Sequence, residues 1–225
     1  MTKKSLAFTL AEVLLTMTII GVVAAMTIPT LHYQKVKKEY TTKLKNFYSK
    51  MENAVMDMES DYGSFRDLKR PKASDNKDGY DWYMKYIDPY VGHKYVKTTG
   101  GYRVYYSDGS MLTTFYPGGC LDVIYDVNGD KRPNHEGYDR FRFLFCFDDG
   151  NLDANGDCNM DNPGSGRCYW FANKDIFFGT YGGTVNSATS TRDEQVEKCQ
   201  ESASYCTKLL ETDQWEFKSD YPYKF

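Results

Sequence analysis

From Phe8 to Leu31 the sequence runs for 24 residues with a single charged side chain, Glu12. A hydrocarbon core about 30 Å thick is crossed by about 20 apolar helical residues, whereas a helix in a soluble core is shorter and amphipathic. A secretory signal peptide has an apolar centre of roughly 7–15 residues and a small-residue cleavage site after it. Here the run is longer, and Ala24-Ala25 is followed by Met26, Thr27, Ile28 and Pro29 rather than by such a site. The segment therefore reads as a membrane-spanning helix, and Glu12 needs an explanation. An ionised carboxylate inside a bilayer costs on the order of 3 kcal/mol unless it finds a partner. The run contains no Lys or Arg. A cut between Ala7 and Phe8 would create an α-amine just ahead of Glu12. A neighbouring copy of the helix, shifted along its axis, could then offer that amine to the carboxylate. The plainer alternative is that Glu12 reaches the headgroups from near the helix end.

Lys3-Lys4-Ser5-Leu6-Ala7 followed by Phe8-Thr9-Leu10-Ala11-Glu12 resembles the leader and processing site of type IV pilins and type II secretion pseudopilins. That family has a short basic leader, a small residue before the cut, Phe after it and Glu as the fifth mature residue. Gly21 and Pro29 also fall where the family has a helix-softening Gly and Pro. Ala7 stands where the family usually has Gly, a departure that the family tolerates. The resemblance implies removal of residues 1–7 by prepilin peptidase, N-methylation of Phe8, and assembly through Phe8, Glu12, Gly21 and Pro29. It further implies partners: other pilin or pseudopilin subunits, the peptidase, an inner-membrane assembly platform and membrane lipid.

Beyond Pro29 the helical period continues. Val36, Tyr40, Leu44, Phe47, Met51, Val55 and Met58 step by 4, 4, 3, 4, 4 and 3, leaving Lys and Glu on the opposite side. The expectation is one helix from Phe8 to near Asp61, about 80 Å long at about 1.5 Å per residue. Pro29 removes a backbone donor and should bend it. Residues 8–31 are the apolar span and residues 32–61 an amphipathic continuation that packs on residues 62–225, with a coiled coil as the rival reading of the stripe. The lysines give an opposing topological signal. Lys3 and Lys4 precede the span, but Lys35, Lys37, Lys38, Lys43 and Lys45 follow it, which on flanking charge alone favours a cytoplasmic domain. Six cysteines, all distal to the span, and the resemblance place the domain outside the cytoplasm instead.

Gly63 ends the helical pattern, and residues 64–100 read as an aromatic-rich connection with a helical turn near Tyr80–Tyr86. Tyr102–Tyr106, the turn Ser107-Asp108-Gly109-Ser110 and Met111–Tyr116 form a hairpin signal. A third strand begins at Cys120. In a fourth, Phe141, Phe143, Phe145 and Phe147 alternate onto one face suited to cover the helix. A short helix is expected around Arg192–Leu210. A long helix laid on an antiparallel sheet is an α+β architecture, and it is also the pilin fold.

Six cysteines allow 15 connectivities. Local pairing favours Cys199–Cys206, Cys158–Cys168 and Cys120–Cys146, the last across neighbouring strands; the alternative is that some remain reduced and merely buried. No C-x-x-C pair is present, which argues against a zinc ribbon. Two loops alternate oxygen-bearing side chains as Ca²⁺ ligands do: Asp126, Asn128 and Asp130, and Asp153, Asn155, Asp157, Asn159 and Asp161. Neither is an EF-hand. The sixth positions are Lys131 and Cys158, and the twelfth are Gly137 and Gly164. Asn and Asp also favour turns without any ion. The first loop resembles a pattern of pseudopilin-like proteins, D-x-N-G…P-N…G-x-D-x-F, carried here by Asp126, Asn128, Gly129, Pro133, Asn134, Gly137, Asp139 and Phe141.

The sequence has no G-x-S-x-G, H-E-x-x-H, phosphate-binding or dinucleotide motif, and its three histidines (His32, His93 and His135) are scattered. A net charge of −3 argues against a general nucleic-acid binder. The expectation is a non-enzymatic structural subunit of a type IV pilus-like or type II secretion pseudopilus fibre. It would first be held in a bacterial inner membrane by one span, with the large domain extracytoplasmic, and then enter a periplasmic pseudopilus or a cell-surface pilus. The alternative is a membrane-anchored binding module for a glycan or surface, with Ca²⁺ as an optional cofactor, that does not polymerise.

Overall fold

The computed structural model describes residues 9–72, 76–118, 120–147, 178–182 and 191–223. The chain divides into two compact units, Met1–Glu39 with Phe225, and Tyr40–Lys224. Helix α1 spans Leu10–Tyr62 and continues through Pro29. It ends at Gly63, whose φ of +84° is the left-handed conformation that glycine adopts without a Cβ penalty. The Gly63 N–H still reaches the Glu59 carbonyl, at 3.0 Å. The Glu59 carboxylate then accepts the Phe65 N–H, at 2.8 Å, and turns the chain back.

The second unit is a six-stranded antiparallel meander in which each strand pairs with its sequence neighbours. Its strands are β1 (Tyr95–Lys97), β2 (Arg103–Tyr105), β3 (Met111–Gly118), β4 (Cys120–Asp126), β5 (Arg140–Cys146) and β6 (Phe178–Thr180). The β2–β3 turn is fixed by side-chain chemistry. The Asp108 carboxylate accepts the Ser110 N–H at 3.0 Å and hydroxyl at 2.6 Å, while Gly109 supplies a φ of +83°. That turn sets Tyr105 opposite Met111, and the alternation then carries through to β5.

One face of the sheet is apolar. Leu121, Val123, Tyr125, Phe141, Phe143 and Phe145 are all buried there, against the α1 stripe of Tyr40, Leu44, Phe47, Met51, Val55 and Met58. Phe47 stacks on Tyr125 with ring centroids 3.9 Å apart and meets Phe143 at 4.9 Å. Of the expected stripe only Val36 stays half-exposed, and Ala54 joins the buried set. The stripe is therefore used intramolecularly, on a sheet, rather than as a coiled-coil seam.

The connection after α1 holds more structure than its composition suggests. It contains a 3-10 turn at Phe65–Asp67, α2 at Asn76–Tyr86, α3 at Asp88–Val91 and the exposed edge strand β1. Trp82 and Phe65 of this region pack edge-to-face at 5.6 Å and close one end of the core over Phe145 and Phe147. β6 has no counterpart in the sequence reading, because Phe178-Gly179-Thr180 is too short to show a period.

The expected C-terminal helix is two helices, α4 (Arg192–Glu201) and α5 (Cys206–Thr212). Thr191 and Glu194 form a capping box at the start of α4. Ser202, extended at φ −151°, breaks the run. The segment is held on itself by Arg192. Its guanidinium grips Asp213 through Nε at 2.7 Å and Nη2 at 2.9 Å, and Asp220 through Nη1 at 2.6 Å and Nη2 at 2.8 Å.

Candidate functional site

Two places collect the residues singled out by the sequence, the start of α1 and the β4–β5 loop. At the helix start, Thr9 and Glu12 form a reciprocal pair. The Glu12 carboxylate accepts the Thr9 N–H at 2.8 Å and the Thr9 hydroxyl at 3.0 Å, while the Glu12 N–H donates to Thr9 Oγ1 at 3.2 Å. This is capping-box geometry, which satisfies backbone donors that every helix leaves open at its N-terminus. Glu12 thus has an intrachain role without any cation. Ala7 and Phe8 lie outside the described residues.

From Leu10 to Leu31 the large apolar side chains are exposed, including Leu14 at 59%, Ile20 at 63% and Leu31 at 63%. The helix is long and apolar enough to cross a membrane, and among the described residues none of its most apolar stretch is buried. Among the described residues, and apart from the helix's own nearby backbone, nothing stands within 4 Å of where a Cβ would sit on Gly21.

The β4–β5 loop is organised around Asp139, which is fully buried. One carboxylate oxygen accepts the His135 N–H at 2.6 Å. The other accepts the Asn134 N–H at 2.8 Å and the Asn128 side-chain amide at 3.1 Å. The same Asn128 amide reaches Tyr40 Oη on α1 at 3.0 Å. Lys43, one turn along α1, donates to the Val127 carbonyl at 2.8 Å. Asp126 is paired with Arg140 Nε at 2.9 Å and accepts the Asn128 N–H at 3.2 Å. The glycines are required where they stand. Gly129 has φ +71° and packs so tightly on the β2–β3 turn that a Cβ would lie 2.7 Å from the Gly109 carbonyl oxygen. At Gly137, with φ +81°, a Cβ would meet the Tyr223 ring at 2.7 Å. Asn134 adopts the left-handed conformation at φ 54°, and the Arg132–Pro133 peptide is cis. The polar and glycine positions of the D-x-N-G…P-N…G-x-D-x-F pattern thus shape the loop, and Asn128 carries it to the helix at Tyr40.

The three oxygen-bearing residues of the first acidic loop have separate partners. Asp126 faces Arg140, Asn128 bridges Tyr40 and Asp139, and Asp130 accepts the Tyr105 hydroxyl at 2.8 Å. Among the described residues no group of three or more His, Cys, Asp or Glu gathers as a metal-ligand set. Asp153, Asn155, Asp157, Asn159 and Asp161 lie outside the described residues. On the opposite face of β4 from α1, burial pushes the Asp122 carboxyl up to about 6 despite the Arg142 guanidinium beside it, and burial likewise pushes Asp126 up to about 6.

Two of the expected disulfides are present: Cys120–Cys146, a registered pair across β4 and β5, and Cys199–Cys206, which ties the end of α4 to the start of α5. Cys158 and Cys168 lie outside the described residues, and no described cysteine is free. The sequence reading placed Tyr40 in the core and Lys43 in a basic flank but missed that both hold the loop. Their signal is their position, one turn apart on the α1 face that meets the sheet.

The chain belongs to DUF6613, a family of unknown function whose model matches residues 30–225. Comparison with curated proteins and with solved structures found no match.

Proposed function

We propose that this protein is a structural subunit of a type IV pilus-like or type II secretion pseudopilus fibre. It is anchored by α1 in a bacterial inner membrane before assembly, with its sheet domain outside the cytoplasm. The observation that carries this reading is a single helix with an unburied apolar half and a second half that forms the spine of a sheet domain. Lipid covers such an apolar half in a monomer, and equivalent helices cover it in a fibre. The leader and processing site around Ala7, Phe8 and Glu12 supports the same reading, as do two disulfides in the domain.

In this mechanism prepilin peptidase removes residues 1–7, and the Thr9–Glu12 cap holds the carboxylate while the helix waits in lipid. On docking at the assembly platform, Glu12 exchanges its Thr9 donors for the α-amine of a neighbouring subunit's first residue, which selects the axial position at which that neighbour packs. The domain stays folded throughout, because the loop built on Asp139 grips α1 at Tyr40 and Lys43.

The test is Glu12→Val in the full chain, expressed in its own host, with sheared-fibre fractions and membranes analysed in parallel. The variant should remain in the membrane and fall at least tenfold in the fibre fraction, and mass analysis should find Phe8, methylated, as the first residue. Undiminished incorporation of the variant would sink the assembly mechanism. Recovery of a chain that retains residues 1–7 in a host with active peptidase would remove the processing step. A domain that binds its target while no fibre forms would instead favour a membrane-anchored binding module.

A further inference from the structure

The face of the sheet turned away from α1 carries a groove of about 470 Å³ between the strands and the α4–α5 connection. Strand register fixes its floor. Arg103, Thr113 and Ile124 stand opposite one another across β2, β3 and β4, with Met111 opposite Asp126 in the next row. Met111 is buried and Thr113 and Ile124 are half-buried, which gives an apolar base. One wall is Asn134, His135 and Glu136 of the β4–β5 loop, and the other includes Ser202 and Ala203. The walls are tied together, since Glu136 accepts both the Ser204 hydroxyl and Arg142 Nη2.

The charges around the groove do not cancel evenly. Arg140 is paired with Asp126, and Arg142 is shared between Asp122 and Glu136. Arg103 has only the Gly100 carbonyl, at a long 3.4 Å, among the described residues. His135 is set as well. Its Nδ1 lies 2.8 Å from the Glu136 carbonyl oxygen, which can only accept, so in the neutral ring Nδ1 carries the proton and Nε2 is an acceptor.

We propose that this groove binds one acidic sugar unit of a polysaccharide, a uronate. Its carboxylate would pair with Arg103, its hydroxyls would exchange hydrogen bonds with His135, Asn134 and Ser202, and its apolar ring face would lie on Met111 and Ile124. A single unneutralised guanidinium matches a monoanion, and the mixture of donors and acceptors around an apolar floor matches a polyhydroxylated ring. A peptide fits less well. Between β2 and β5 the strand backbones are committed to one another, so the groove offers no free edge for strand addition. This inference is independent of fibre assembly and holds for a chain that never polymerises.

The test is calorimetric titration of the detergent-solubilised full chain with trigalacturonate, with maltotriose as the neutral control and hexaglutamate as the acidic-peptide control. Trigalacturonate should bind saturably and more weakly as salt rises, and neither control should compete. Arg103→Ala should weaken binding at least tenfold, while Lys50→Ala, away from the groove, should leave it unchanged. The Met111 methyl resonance should shift on titration of the unaltered protein, a readout that does not depend on any variant folding. No binding of trigalacturonate, equal binding of maltotriose, tighter binding of hexaglutamate, an unaffected Arg103→Ala variant or an unmoved Met111 signal would each overturn the assignment.

Discussion

Asp139 holds three donors on one buried carboxylate, so the loop's conformation depends on that side chain more than on any of its exposed neighbours. Removing it strands the Asn134 and His135 N–H groups, each costing about 1–3 kcal/mol when left unpaired inside a protein, and leaves the Asn128 amide with Tyr40 and the Arg132 carbonyl as its acceptors. Water entering the gap recovers part of that. Asp139→Ala should therefore lower unfolding free energy by about 2–4 kcal/mol in urea titration, whereas Asp130→Ala, at an exposed residue whose carboxylate accepts the Tyr105 hydroxyl, should cost about 1 kcal/mol or less. The two aspartates on the far face of β4 give a second residue-scale expectation. Asp122 and Asp126 rise from an ordinary 3.8 to about 6, chiefly through burial. Between those values the native state holds more protons than the unfolded chain. Stability should therefore decline as pH rises from about 4 to about 6.5 and level off above. Glu136, held low by Ser204 and Arg142, acts in the opposite direction but only below its ordinary 4.5. Urea midpoints measured across that range should show the slope, and Asp122→Asn should flatten it. A midpoint that climbs with pH would refute the assignment.

At the scale of elements, the two disulfides differ in what they close. Cys120–Cys146 spans 26 residues and Cys199–Cys206 spans 7. Chain-entropy reasoning assigns about 3.5 kcal/mol to the longer loop and about 2.5 kcal/mol to the shorter. The paired Ala replacements at 120 and 146 should therefore lower the melting temperature more than those at 199 and 206, and a reversed order in calorimetry would count against that account. The elements themselves were unevenly legible. The α1 stripe and the alternating phenylalanines of β5 repeat a period several times and stand where that period placed them, and the Asp108-Gly109 turn stands where its turn chemistry placed it. β1 and β6 have three residues each, too few to show a period, and exist because a longer neighbour offers them a ladder. The split of the C-terminal helix at Ser202 falls where the sequence changes from Glu, Gln and Lys to Ser202-Ala203-Ser204-Tyr205, a stretch too short to separate two helices by pattern alone, and the Cys199–Cys206 closure accompanies the turn between the halves. In the candidate site, the acidic alternation of Asp126, Asn128 and Asp130 was visible, but its partners Arg140, Tyr40 and Tyr105 come from other elements and could be found only from the assembled fold.

For the whole molecule, the two compact units separate two physical tasks. Tyr40–Lys224 buries its aromatic core within itself, and in the first unit large apolar side chains from Leu10 to Leu31 are exposed among the described residues. Transferring apolar surface out of water is worth about 25 cal/mol per Å². The first unit should therefore drive the full chain into membranes and contribute little to folding of the second. A chain beginning at Gln34 keeps Tyr40, Lys43 and the whole buried stripe, hence both helix contacts of the β4–β5 loop. It should be recovered soluble and monomeric, with a melting temperature within a few degrees of the full chain in detergent. Cutting further, to begin at Lys45, removes Tyr40, Lys43 and Leu44 together. It leaves the Asn128 amide and the Val127 carbonyl without their helix partners and opens a cavity where Leu44 was fully buried. Loss of one buried Leu side chain alone costs about 2–5 kcal/mol, a large share of the roughly 5–15 kcal/mol by which a domain is stable. The shorter chain should thus melt far lower or fail to fold, and sedimentation with thermal melting of the two truncations side by side measures both effects. Equal stability of the two would mean that the loop's grip on α1 does not hold the domain together.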